Sequence, residues 1–412
     1  MRIDFVAPPF AGHLFPQLDL ASQLRDRGSD QIHFLSTQEA EQTIRSSKFR
    51  FTPILSGASQ AVMEIANTRT QVGSNPLRLL SQFKLNLGLM HRLRQELLLQ
   101  WQAARPDLVI VDFTVPIAGL LAQSMGIRWW TSMPTICVLE TGNGTPSYLG
   151  GWSPMEGRRG KLRDWAGRAT IRCFKLSIHY LFRKQLAALG VGRIYREDGL
   201  ESIYSPDTIL GFGIPEVEFP RAWPQALVFV GPMTASPALP HIAPTYVEGR
   251  PHVLISLGTH LQWAKSGARE LIRTVAKQMP DWVFHFTGGV PGECSSDSQE
   301  NFHCYGYVPY DAYIERYKLV IHHGGTGVMY SSLKRGIPAL VWPMDYDQFD
   351  HAARLVYGKL GLRCRPSPNE IVVDLQQLAN DQTIQRNVVS IRQKIAGYTT
   401  ADLVLSRMRG LQ

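Results

Sequence analysis

Val320-Ile-His-His-Gly-Gly-Thr-Gly327 is the stretch from which the fold is read. Two β-branched residues lead into paired histidines, and three glycines around one threonine follow. The next residues, Val328–Arg335, have the pattern of a helix that Gly336 ends. This is a strand running into a glycine-rich turn and then a helix. Such a turn lets the backbone approach an anion closely, and the helix start adds unpaired N–H groups at the positive end of its dipole. With a histidine as a further donor, the segment reads as a phosphate cradle. The competing reading is a plain tight turn with two core histidines.

Downstream, Val341-Trp-Pro-Met-Asp-Tyr-Asp-Gln-Phe-Asp350 follows another strand pattern. Its Asp347 and Gln348 place a carboxylate and an amide side by side, a pair able to accept from and donate to sugar hydroxyls. Upstream, His252-Val-Leu-Ile-Ser256 is a strand, followed by Leu257-Gly258-Thr259. Further strands are expected at 282–286, 319–322 and 339–342, with helices over 269–278 and through 375–408.

The same rhythm fills the first half. Strand 2–7 runs through the loop 8–13 into a helical stripe of Leu14, Leu18, Leu20, Ala21 and Leu24, which Gly28 stops. Strands 32–35 and 108–112 and helices 79–104 and 116–125 continue it. Between Pro215 and Pro251 stand eight prolines, a linker composition. The expected fold class is α/β, with two Rossmann-like domains facing across a cleft and ligands at the strand C-terminal ends. The expected division is an acceptor-binding domain over 1–215, a Pro-rich linker over 216–250, a donor-binding domain over 251–385, and a C-terminal helix over 386–412 that packs back on the first domain.

Composition agrees with two or three domains. The chain has 412 residues, 44% hydrophobic and 19% charged, which is globular. Five cysteines, with no CxxC and no zinc-finger spacing to histidine, speak against a disulfide scaffold and a structural zinc site. A reducing, cytoplasmic location is expected. Asp4 stands where a signal peptide needs apolar residues, and the longest apolar stretch, 108–127, is broken by Asp112, Pro116 and Gln123. No classical GxGxxG follows the first strand and no Walker A occurs, so a nicotinamide dehydrogenase and a P-loop NTPase lose ground.

The two glycine- and aspartate-bearing motifs, at their joint spacing, resemble the donor-binding signature of the UDP-glycosyltransferases, the family-1 enzymes of GT-B fold. The HHGGTG form is most similar to bacterial natural-product and sterol glycosyltransferases. The resemblance implies diphosphate contacts from Ser256, Gly258 and Thr259 and from Gly325, Thr326 and Gly327. It implies a phosphate-binding histidine, which is His323 counting back from Pro338 and His322 if the glycines are shifted. Tyr307 would stack on the base, Val308 would offer it backbone groups, and Asp347 and Gln348 would hold the sugar. Phe10-Ala-Gly-His13 resembles the family's N-terminal Gly-His, whose histidine is the catalytic base, and Asp112 matches the aspartate that holds it. The chemistry needs these groups: an acceptor hydroxyl must lose its proton as it attacks the anomeric carbon. A neutral imidazole takes that proton, and a buried carboxylate on its far nitrogen fixes the tautomer.

The implied function is an inverting, metal-independent transfer of a hexose from UDP-glucose or another UDP- or dTDP-sugar to a small lipophilic acceptor such as a natural product, carotenoid, sterol-like or polyketide alcohol. No metal and no cofactor beyond the nucleotide-sugar co-substrate is implied, and no nucleic-acid partner. The rival readings are a nucleotide-sugar epimerase of the same architecture, which has no use for an N-terminal base, and a catalytically silent helper protein. Acceptor loops are expected at 56–82 and 138–155.

Net charge is +9, and the segment Arg158–Lys184, with nine Lys/Arg against Asp164, carries +8 of it. Leu162, Trp165, Ala166, Ala169, Cys173, Leu176 and Tyr180 recur there at helical spacing. Two readings are open. The stripe packs on the first domain's core and leaves the charges solvated, or the helix lies on an anionic membrane at the inner leaflet.

Overall fold

The computed structural model describes residues 1–28, 31–66 and 75–410, which divide into two compact units. The first unit holds the chain up to Ile65, the stretch ending at Gly231, and the chain from Thr399 onward; the second runs from Pro232 to Tyr398.

The first unit is built on β1 (Arg2–Val6), β2 (Gln31–Ser36), β3 (Arg50–Pro53), β4 (Leu108–Asp112), β5 (Arg128–Met133), β6 (Ile209–Gly211) and β7 (Leu227–Phe229). They pair in the order β3-β2-β1-β4-β5-β6-β7, all parallel. Such strands are covered on both faces, which is why Leu108–Val111 is an unbroken apolar run with every residue buried. The helices Ala11–Arg25, Pro76–Ala103 and Pro116–Ser124 belong to this unit. Asn75 caps the second of them, its Oδ1 accepting from Leu77 N at 3.0 Å and Arg78 N at 3.3 Å, with Pro76 in the first turn. The same helix ends with Trp101, whose indole N–H donates to buried Asp4 at 3.1 Å.

The second unit repeats the plan with β8 (His252–Ser256), β9 (Val283–Thr287), β10 (Ser296–Gln299), β11 (Phe302–Tyr305), β12 (Leu319–His322), β13 (Ala339–Val341) and β14 (Gly361–Arg363). The order is β10-β11-β9-β8-β12-β13-β14, parallel except for the edge hairpin β10–β11. With the edge hairpin set aside, the order in each sheet reverses once, between β1 and β4 and between β8 and β12. A loop crevice opens at the carboxyl ends of the strands at such a point.

The boundaries differ from those expected. The first part of the supposed linker, up to Gly231, is folded into the first unit, because Leu227–Phe229 adds an edge strand, where nearby prolines are tolerated. The carboxyl-terminal stretch is three helices rather than one: Pro368–Asn380, Gln382–Ala396 and Thr400–Arg409. Asp381 starts the second by accepting from Thr383 N and Ile384 N, and Gly397 ends it. Gln382–Ala396 packs on the helix Thr326–Arg335 of the second unit, and only Thr400–Arg409 joins the first, against Ala11–Arg25. Among the described residues no helix is long and apolar enough to cross a membrane.

The basic segment forms the helix Gly157–Leu181 and overturns the packing reading. Leu162, Trp165, Leu176 and Tyr180 are 65, 61, 50 and 70% exposed, so the apolar stripe faces outward. The inward face carries Gly160, Asp164 and Gly167. A Cβ on Gly167 would meet Leu149, Pro146 and Trp152 at 2.8–2.9 Å, so the loop before the helix lies close upon it. The cations Arg163, Arg172 and Lys175 turn toward buried acids. Lys175 Nζ lies 2.9 Å from Glu140 and 3.0 Å from Glu201, Arg172 Nε is 2.7 Å from Glu140, and Arg163 pairs with Asp164. Burial opposes the Lys175 charge, but the two carboxylates outweigh it and raise its pKa. Buried acids need counter-charge, and this requirement orients the helix against its hydrophobic periodicity.

Candidate active site

In the first unit, β1 ends at Val6 and β4 at Asp112, the two strands at the reversal. The chain after β1 turns through Phe10 into the helix Ala11–Arg25, which puts His13 in its first turn above the end of β4. His13 Nδ1 lies 3.1 Å from both carboxylate oxygens of Asp112. An ionised carboxylate only accepts, so Nδ1 carries the proton and donates. Asp112 is fully buried, and it also accepts from Thr114 N at 2.9 Å and from the Thr114 hydroxyl. The His13 side chain is 25% exposed, with Phe113 stacked on it at 5.6 Å and Phe10 edge-on at 6.2 Å.

In the second unit, the loops after β8, β9 and β12 meet. Gly258, at φ +81°, lies under the His323 ring: a Cβ there would be 2.7 Å from Nε2. A Cβ on Gly325 would be 2.3 Å from the same atom. The His323 Nδ1–H donates to Ser256 O at 3.4 Å, and its backbone N–H to the same carbonyl at 3.3 Å. His323 thus lies among the glycine loops, whereas His322 points into the core. His322 is fully buried, its Nδ1 accepts from Gly324 N at 3.0 Å, and its Nε2 is a buried atom without a partner. Burial lowers the pKa of His322 to about 3 and of His323 to about 4. Both rings are therefore neutral at cellular pH. The helix Thr326–Arg335 opens after Gly325 with no side-chain cap, so the first N–H groups, at Thr326 and Gly327, lack intrahelical acceptors.

Gly324, at φ +100°, packs against Gln348, where a Cβ would be 2.9 Å from Gln348 O. The two motifs are therefore in contact. Gln348 Oε1 accepts from Met344 N at 2.8 Å and Asp345 N at 3.0 Å, so its carbonyl holds the loop and its amide donors remain for other use. Asp347 is partly exposed, with an oxygen 3.4 Å from His351 Nε2, while Asp345 is fully buried.

Two expected contacts are corrected. Ser256 is buried and its hydroxyl is 2.6 Å from the Tyr310 hydroxyl, so it holds Tyr310 rather than facing the loop opening. Tyr307 is 6% exposed and hydrogen-bonded to Ser236, and burial raises its pKa, so the ring expected to stack on a base is committed to packing. Val308 lies in the core with Leu254 and Val320, which leaves it the backbone contacts expected of it. Thr259 stays partly exposed beside Gly258.

One group was not foreseen. Lys265 is buried in the helix Gln262–Gln278, and its Nζ donates to Gly288 O at 2.7 Å. Nζ also lies 3.4 Å from where a Cβ on Gly289 would be, and that Cβ would be 2.1 Å from Gly258 O. Among the described residues no carboxylate pairs with Lys265, and burial lowers its pKa to about 8. The sequence expectation began this helix at Arg269; a lysine on the buried side of a helix start just after a glycine loop is the signal it passed over.

The whole chain is similar to known proteins. Residues 292–409 match the family described as erythromycin biosynthesis protein CIII-like, C-terminal domain. The chain is 25% identical over 411 residues to a zeaxanthin glucosyltransferase of Pseudescherichia vulneris, covering 95% of this chain and 93% of the relative. Among solved structures, the glycotransferase of kitacinnamycin superposes with a TM-score of 0.74 at 20% identity, covering 98% of each chain. A Streptomyces glycosyltransferase complexed with thymidine diphosphate gives 0.65 at 17% identity, covering 99% of each. The fold is therefore the GT-B fold of glycosyltransferases. Over nearly its whole length the chain is similar to glycosyltransferases, and its carboxyl-terminal part to an antibiotic-biosynthesis domain.

Proposed function

We propose that the protein is an inverting, metal-independent glycosyltransferase that moves a hexose from a UDP- or dTDP-sugar to a hydroxyl of a small lipophilic acceptor. The observation that carries the reading is the His13–Asp112 pair at the reversal of the first sheet. His13 takes the acceptor proton on Nε2 while the acceptor oxygen attacks C1 of the sugar. The C1–oxygen bond to the diphosphate breaks with its electron pair, and the anomeric configuration inverts. Asp112 holds the imidazole tautomer and stabilises the imidazolium formed.

The leaving diphosphate is held by the second unit's loops: the backbone of Gly258, Thr259, Gly325, Thr326 and Gly327, the His323 ring and the Lys265 ammonium. Asp347 and the Gln348 amide contact sugar hydroxyls. Cationic and backbone donors supply the charge stabilisation, so the scheme invokes no metal and no cofactor besides the co-substrate. A dTDP donor is supported by the thymidine diphosphate in the Streptomyces enzyme, and glucose and a lipophilic acceptor by the name of the zeaxanthin enzyme.

An acceptor panel with UDP-glucose and dTDP-glucose, read by mass spectrometry, tests the reading. Wild type should give a sugar adduct of inverted anomeric configuration with metal chelated, and His13→Ala should form it far more slowly. Adduct formation at the wild-type rate by His13→Ala on a hydroxyl acceptor would refute it.

A further inference from the structure

We infer that the outward face of the helix Gly157–Leu181 docks the protein on an anionic lipid bilayer. The inference goes beyond glycosyl transfer and does not depend on it. A surface helix normally buries its apolar stripe and exposes its charges. Here the periodic residues Leu162, Trp165, Leu176 and Tyr180 are 50–70% exposed, and Cys173 between them is exposed as well. The arrangement is held from the other side, where Glu140, Glu201 and Asp164 fix Arg163, Arg172 and Lys175. Rolling the helix to hide the stripe would strip these buried acids of their partners, which is far costlier than leaving apolar surface wet. The exposed face is thus a fixed feature.

Charge selects its occupant. Arg158, Arg159 and Lys161 are exposed at one end of the helix, and Arg183 and Lys184 just past the other. Among the described residues none of the five pairs with a carboxylate. From Gly157 to Ala188 the single acid is Asp164, which faces inward. A face of leucine, tryptophan and tyrosine framed by cations at both ends matches a surface of anionic headgroups over acyl chains. Aromatic rings sit at headgroup depth, and the leucines go just below. The helix, about 37 Å long at 1.5 Å per residue, lies flat and does not span. A lipid-facing helix gives an enzyme of lipophilic acceptors access to the phase in which they dissolve.

The test uses the full chain and vesicles of phosphatidylcholine alone or mixed with phosphatidylglycerol, at low and high salt. With Cys294→Ser removing the other exposed thiol, an environment-sensitive dye on Cys173 reports contact. Expected are flotation with the anionic vesicles at low salt, release at high salt and a blue shift of the dye on binding. Arg158→Ser with Arg159→Ser and Lys161→Ser should lower partitioning about a hundredfold. Leu162→Glu with Leu176→Glu should abolish it at unchanged circular dichroism, since only exposed groups are altered. Absence of flotation, equal binding to neutral vesicles, or full binding by both variants overturns the inference. So does a stable dimer that shields the dye without lipid.

Discussion

The two reversal points share one topology and differ in chemistry. At β1/β4 the strand ends carry a histidine on a buried carboxylate, which on the proposed function moves a proton. At β8/β12 they carry glycines and a neutral histidine, with a buried ammonium on the following helix, which on the proposed function hold an anion. The same backbone plan thus serves, on the proposed function, a base in one unit and an anion cradle in the other, and the residues after the strands make the difference. The difference predicts that damage to each should register in a different measurement.

The largest effect is expected from the first unit. His13→Ala should lower turnover by about 10²–10⁴ while UDP affinity stays unchanged, since the role proposed for the ring is proton transfer alone. Asp112→Asn should lower turnover by a comparable factor and shift the pH–rate profile, because the amide no longer fixes the tautomer. Loss of nucleotide affinity in either variant, by calorimetry, would erase the division between the units.

The second-largest effect separates the units by acid. His252, His285, His303, His322 and His323 all lie in the second unit, and burial lowers the pKa of each, to about 3 in His285 and His322 and about 4 in His323. A depressed folded-state value means that the unfolded chain binds the proton first. The stability these groups contribute is present above the unfolded pKa near 6.5 and is lost as pH falls toward the folded values. Each histidine contributes a slope of up to about 1.4 kcal/mol per pH unit. Hydrogen exchange at pH 7 and at pH 5.5 should show the second unit opening first. Uniform loosening of both units would contradict this.

The residues of the proposed proton device and cradle stand out in the sequence for a physical reason. Their chemistry demands particular residue types at strand ends, and buried parallel strands are continuous apolar runs, so β4, β8 and β12 were readable to the residue. The exposed polar edge strand Ser296–Gln299 has no such run and was not read. Contacts set by tertiary packing were also hidden: the Ser256–Tyr310 hydrogen bond and the burial of Tyr307. Periodicity located the stripe on Gly157–Leu181 but could not tell which side faced in, because Glu140 and Glu201, far along the chain, decide that.

A third prediction concerns the cradle's geometry. Gly325→Ala puts a methyl where the His323 ring stands, 2.3 Å from Nε2, so the ring or the loop must move. A clash of this kind costs about 1–3 kcal/mol. Nucleotide affinity should fall roughly 10–100-fold. The control is Gly12→Ala in the first unit, where a Cβ meets nothing within 4 Å and nucleotide binding should not change. Equal losses at the two glycines would mean that the cradle's close packing is not what holds the nucleotide.

The smallest effect isolates Lys265. Its ammonium is buried without a carboxylate, and its pKa is lowered to about 8. A diphosphate placed beside it would favour the charged form and raise that value again. Below pH 8 the lysine is already a cation and binding needs no proton. Above pH 8 the free protein has lost the proton and must take one up to bind, so affinity for UDP should fall by up to tenfold per pH unit. Lys265→Met should bind UDP about tenfold more weakly at pH 7, the loss of one charge-assisted hydrogen bond, and show no such fall from pH 8 to 9. Calorimetry in buffers of different ionisation enthalpy counts the protons directly. Wild type should take up a proton at pH 9 and almost none at pH 7, and Lys265→Met none at either. Proton uptake at pH 9 that survives in Lys265→Met would place the titrating group elsewhere and remove Lys265 from the cradle, while the His13–Asp112 pair would stand.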